Sequence, residues 1–309
     1  MKSDPHHPSR RHFLKSTALA LGALPLTSFT DDLFPPAPDK GKKVRVGGHV
    51  WVYSAAQPNY DCTPVMEQVF SDFRYAGIEG VELMERNLRH ADAVDRLSSL
   101  WEKYGVPVMG ASYGANMWNR EEHPKIEEDV ELVVGRLQRL GGQTLGLSVG
   151  QTKAPKTEAE LDAQGDLLKK IVALCQRKGI VANLHNHTYE VDNQQHDLKG
   201  TLARVPGIRL GPDLNWLIRA GIQPADFISE FGKRIIYVHL RDQLPSGEWS
   251  EALGEGSTDF AAIARSLKKI NFSGLAAIEL AHPAGFQLTR PLKESWKLSR
   301  DFVKQKLGY

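Results

Sequence analysis

The stretch Leu184-His185-Asn186-His187-Thr188-Tyr189-Glu190 follows directly on an apolar run, Ile180-Val181-Ala182. Two histidines two positions apart share one face of a strand, because side-chain direction alternates with period two. A carboxylate, Glu190, follows three residues after the second. Three later apolar runs also end in a polar side chain, at Asp213, His239 and Glu279. Imidazoles and carboxylates together suit one bound divalent metal (Mn, Mg, Co, Fe or Zn). The absence of cysteine from the set argues against a closed structural zinc site. Glu279 carries particular weight, since an acid ending the run Ala276-Ala277-Ile278 is costly unless it is paired or metal-bound.

These side chains need elements to hold them. From residue 44 onward short β-rich runs alternate with longer amphipathic segments. Strands are expected at 44–52, 80–83, 106–111, 144–149, 180–184, 208–213, 235–239 and 275–280. Helices are expected at 64–76, 91–104, 125–140, 158–178, 225–231, 260–269 and 292–306, several closed by glycine, as at Gly77, Gly105, Gly141 and Gly179. Eight strand-like runs with helices between them fit an α/β fold, a single (β/α)8 TIM barrel over residues 44–309. The polar candidates fall at the C-terminal ends of four consecutive strands. A barrel brings those ends to one mouth, whereas an open sheet would spread them along an edge. No Gly-x-Gly-x-x-Gly follows any strand, which argues against dinucleotide binding.

The order of these pieces resembles the sugar phosphate isomerase/epimerase family, the xylose isomerase-like barrels. The matching stretches are His185-Asn186-His187-Thr188-Tyr189-Glu190, Asp213-Leu214-Asn215-Trp216, His239-Leu240-Arg241-Asp242, Gly254-Glu255-Gly256 and Ile278-Glu279-Leu280. The resemblance implies a metal held by Asp213, His239 and Glu279, with a fourth ligand from the fifth strand. Family members carry a glutamate where His185 stands here. Two assignments follow. In the favoured one Glu190 is the ligand and His185 or His187 a catalytic base, with Glu279 serving both metal and catalysis. In the other, His185 takes the metal and Glu190 meets substrate hydroxyls. His49, Glu82, Trp216, Arg241 and Glu255 are expected around the substrate. Trp51 and Tyr113 are further aromatic surfaces for a sugar ring. Asp242 either caps the next turn or orients a ligand.

The implied chemistry is proton abstraction next to a carbonyl, giving isomerisation, epimerisation or elimination (a dehydratase or keto-glycoside lyase). A sugar-binding barrel without catalysis is one alternative, and a metal-dependent phosphodiesterase or endonuclease another. The net charge of +2, with several basic residues in the first fifteen positions, leaves a near-neutral body, which argues against a nucleic-acid partner and so against the endonuclease alternative. Ser9-Arg10-Arg11-His12-Phe13-Leu14-Lys15 resembles a twin-arginine export signal. The apolar stretch after it is too short to span a membrane, so no stable membrane insertion is expected once the signal is removed. Residues 1–30 are read as that signal and 31–43 as a linker. Export to the periplasm points to a non-phosphorylated sugar or cyclitol, with a partner oxidoreductase as a source of keto-substrate. Cys62 and Cys175 alone do not imply a disulfide.

Overall fold

The computed structural model describes residues 43–309 apart from Ala284. The expected export signal (1–30), and all but the last residue of the expected linker, lie outside the described residues. Eight strands follow in chain order: β1 (Arg45–His49), β2 (Val81–Met84), β3 (Val108–Gly114), β4 (Thr144–Ser148), β5 (Val181–Leu184), β6 (Arg209–Leu210), β7 (Tyr237–Leu240) and β8 (Leu275–Ile278). All ladders are parallel, in the order β6-β5-β4-β3-β2-β1-β8-β7. The two ends of that order meet through single parallel bridges, Leu210 with Ile235 and Asp213 with His239. Ile236 N–H donates to the Leu210 carbonyl at 2.9 Å and His239 N–H to that of Pro212 at 2.9 Å. The sheet is thus a nearly closed barrel, the fold expected from the alternation of apolar runs.

Among the described residues eleven α-helices surround it: α1 (Trp51–Ser54), α2 (Met66–Ala76), α3 (Glu85–Arg89), α4 (Ala93–Tyr104), α5 (His123–Arg139), α6 (Glu158–Arg177), α7 (Asp192–Arg204), α8 (Leu214–Arg219), α9 (Pro224–Phe231), α10 (Phe260–Lys269) and α11 (Leu292–Leu307). Residues 51 and 52, expected in the first strand, open α1 instead. Helices α3, α7 and α8 were not expected. Helix α7 hides from a periodicity reading because it buries little apolar surface and begins with three left-handed residues, Asn193, Gln194 and Gln195. No helix among the described residues is long and apolar enough to cross a membrane. Both cysteines are buried and free.

Strand alternation sorts the side chains into two layers. Val46, Val81, Leu83, Val238, Leu240, Ala276 and Ile278 belong to the main apolar core shared with the helices. Between them in sequence, Tyr237 and Ala277 join Met109 and Ile236 in a separate small cluster. Gly47 belongs with that cluster: a Cβ there would lie 1.9 Å from the Met109 sulfur. One step further along, the same period gives His49, Glu82, His239 and Glu279. The alternation that packs the barrel therefore also stacks a polar layer above its apolar floor.

Candidate active site

His239, Glu279, Asp213 and Arg241 form the centre of this polar layer, all of them buried. His239 Nε2 lies 2.6 Å from Glu82 Oε2, which also accepts the Tyr237 hydroxyl at 2.7 Å. The other ring nitrogen, Nδ1, is 3.1 Å from Glu279 Oε2. Burial opposes charge on the imidazole, but Glu82 and Glu279 override it and raise the His239 pKa to about 9.

Arg241 lies between two carboxylates. Its Nε is 2.7 Å from Asp213 Oδ2, and its terminal nitrogen donates to Glu279 Oε1. Burial would raise the Glu279 pKa; Arg241, His49 and His239 instead hold it down to about 2. Asp213 shifts the other way, because its complete burial outweighs the same guanidinium. Its second oxygen caps α8, accepting Asn215 N–H at 2.8 Å and Trp216 N–H at 3.0 Å. Only Oδ2 remains for the pocket.

The donor set fits a divalent ion. His185, Asp213 and His239 offer ligand atoms that all lie within 4.8 Å of one another. Atoms each roughly 2.0–2.3 Å from one ion lie at most about 4.6 Å apart, so these donors need only a small inward shift to share one. Asp213 Oδ2, His239 Nδ1, Glu279 Oε2 and His185 Nδ1 are buried without a well-formed hydrogen bond. Asp213 Oδ2 has only its ion pair with Arg241, and Glu279 Oε2 and His239 Nδ1 only theirs with each other, so a cation among these atoms would complete an imperfectly satisfied set. Burial and neighbouring cationic groups keep the His185 pKa well below its ordinary value, so this imidazole is neutral, as a ligand must be.

Glu190, expected to be the fourth ligand, has its carboxylate taken up by the surrounding loop. It accepts Val149 N–H at 3.2 Å and His187 N–H at 2.5 Å, and lies 3.3 Å from His187 Nδ1. It is not one of the three clustered donors. A residue five places past His185 cannot stay on the strand end once the chain turns toward α7.

The residues expected around the substrate divide. His49, Trp216 and Arg241 line the pocket together with His185, His187, His239 and Glu279. His49 accepts Trp51 N–H on Nδ1 at 3.1 Å, which leaves Nε2–H to pair with Ser112 Oγ at 3.0 Å. Glu82 sits behind His239, its Oε2 taken by that ring and the Tyr237 hydroxyl, and does not line the pocket. Glu255 turns away, pairing with Arg290 at 2.6 Å and accepting Ala252 N–H at 3.1 Å. Asp242 clamps the same loop: its two oxygens accept the amides of Gln243, Gly254, Gly256 and Thr258 at 2.9–3.2 Å. Gly256 is required there, since a Cβ would lie 2.2 Å from Asp242 Oδ1. Trp249 was not anticipated. It crosses Trp216 edge-on at 5.3 Å and carries the Arg219 guanidinium on its face at 3.6 Å.

Comparison with known proteins agrees with the barrel fold. The family described as xylose isomerase-like TIM barrel matches residues 70–306. An inosose dehydratase of Clostridium botulinum (strain Alaska E43 / Type E3) is 24% identical over 279 residues, covering 78% of this chain and 89% of that protein. Among solved structures, a D-allulose 3-epimerase from Methylomonas sp. superposes with a TM-score of 0.73 at 21% identity, covering 89% of this chain and 99% of the other. A 3-keto-D-glucoside 4-epimerase from E. coli gives a TM-score of 0.62 at 16% identity, covering 86% and 100%.

Proposed function

Because the chain belongs to the xylose isomerase-like TIM barrel family, we propose that it is a metal-dependent carbohydrate isomerase, epimerase or lyase working by proton transfer next to a carbonyl. The observation that carries this reading is the convergence of buried donor atoms from His185, Asp213 and His239 within 4.8 Å of one another, with Glu279 against His239. In this proposal His185 takes the fourth ligand position and Glu190 serves the loop. When bound, the ion supplies Lewis acidity to a substrate carbonyl and its neighbouring hydroxyl.

The protein's own groups supply the rest. His187 lines the pocket and is half-exposed, stacked on Tyr189 at 5.1 Å. With Nδ1 beside Glu190, it presents Nε2 as the base that takes the proton from the carbon next to the carbonyl. Returning that proton to another carbon or another face gives isomerisation or epimerisation. Loss of a group from the following carbon gives elimination. Arg241 neutralises Asp213 and Glu279 and is within reach of substrate oxygens. Trp216 and Trp249 form one wall of the pocket, where a sugar ring can stack.

The Ser9–Lys15 pattern supports export by the twin-arginine route, and with it a non-phosphorylated sugar or cyclitol as substrate. A separate oxidoreductase would then supply the keto group. The test is metal analysis of the purified protein together with solvent-deuterium incorporation into a panel of keto-sugars. One bound ion per chain and deuterium at the α-carbon are expected. Exchange that persists after the ion has been stripped would overturn the reading.

A further inference from the structure

The pocket is larger than the proposed chemistry requires. Its volume is about 1080 Å³, at the top of the roughly 300–1,000 Å³ range that holds drug-sized ligands. A single sugar ring fills a small part of it. The strand order places β2 and β3 across the mouth from β6 and β7, so the cavity runs from the donor cluster to the far rim. That rim has polar machinery of its own. Arg89 grips Asp129 through two nitrogens, at 2.9 and 2.6 Å, and Tyr113 donates its hydroxyl to the same carboxylate at 2.8 Å.

Glu85 is the telling group. It opens α3, lines the pocket and is more than nine-tenths buried. Besides a contact with its own backbone amide, its carboxylate has loose ion pairs, 3.5 Å to Arg89 and 3.6 Å to Arg86. Burial pushes its pKa up against the pull of both arginines. A desolvated acceptor without strong donors is completed by ligand hydroxyls. Trp51 and Tyr60, stacked at 5.6 Å, add an aromatic face to the same cavity.

Building on the function proposed above, we infer that Glu85, Arg89 and Tyr113 form a second subsite for a further sugar ring, so that the substrate is a glycoside of two rings or more. The first ring lies at the donor cluster. The second lies against the α3 rim, with its hydroxyls donating to Glu85 and accepting from Arg89.

The test titrates manganese-loaded protein with a methyl hexopyranoside and with a disaccharide that extends the same ring. The disaccharide should bind at least roughly 10-fold more tightly, about 1.4 kcal/mol. Glu85→Gln and Arg89→Ala should each bring the ratio of the two affinities toward one, with thermal melts confirming that both variants fold. Equal affinities for the wild type, no measurable binding of either ligand, or an unchanged ratio in both variants would overturn the second subsite. Deuterium incorporation into the keto form of the methyl hexoside reads the chemistry separately. Exchange without a disaccharide preference sinks the subsite alone; preference without exchange sinks the catalytic reading alone.

Discussion

Glu82 Oε2 and His239 Nε2 are 2.6 Å apart, joined by a buried hydrogen bond between strands β2 and β7. The bond holds one imidazole proton on Nε2, so Nδ1, facing Glu279, is the nitrogen that gives up its proton when a metal binds. A carboxylate behind a ligating histidine fixes its tautomer and makes the free nitrogen more basic. Glu82→Gln keeps the shape but removes the charge. Metal affinity, measured by chelator competition, should fall by about 10–100-fold. An unchanged affinity would mean that Glu82 only fills space.

The two assignments for the fourth ligand separate cleanly in metal stoichiometry. His185→Ala, like Asp213→Ala and His239→Ala, should weaken metal binding by at least about 100-fold and remove activity, on the scale set by outer-shell losses. Glu190→Gln should keep one ion per chain, because its oxygens are engaged by Val149 and His187 amides. Loss of metal in Glu190→Gln with retention in His185→Ala would reverse the assignment.

The barrel could be read from the sequence because its strands are short apolar runs between helices with glycine stops. That His185, Asp213 and His239 come within ligand distance of one another could be read because strand ends converge in such a fold. What escaped depends on partners far apart in the chain. Nothing local to Glu82 reveals a bond to a histidine 157 positions away, so it was grouped with substrate contacts. Glu255 looked functional because it stands between two glycines. The amides of both glycines donate to Asp242; a Cβ at Gly256 would collide with that carboxylate, and one at Gly254 with Phe302. For Glu190 the sequence does not show that its own loop offers the carboxylate two amides.

Asp242 should matter for stability more than for binding. Its carboxylate accepts four backbone amides from the β7–α10 connection. Asp242→Ala leaves those donors without their acceptor, at a cost of about 3 kcal/mol. For a domain of this size the melting temperature should fall by roughly 6–12 °C. The metal-loaded protein should show the same fall, since the clamp is separate from the donor cluster. A shift under about 2 °C would show that water replaces the carboxylate.

Acid stability tests the α3 rim. Burial would raise the Asp129 pKa, but hydrogen bonds from Arg89 and Tyr113 lower it below the ordinary 3.8. A carboxyl lowered on folding contributes stability that is complete above its unfolded value. That contribution is lost as the pH falls through the folded value. Asp129→Asn should therefore melt lower than the wild type at pH 5 to 7. The gap between the two melting curves should close as the pH drops below about 4. Melting temperatures of the metal-free proteins across that range supply the check. A gap that widens in acid would mean that the Arg89–Asp129 pair does not hold the carboxylate in its charged form.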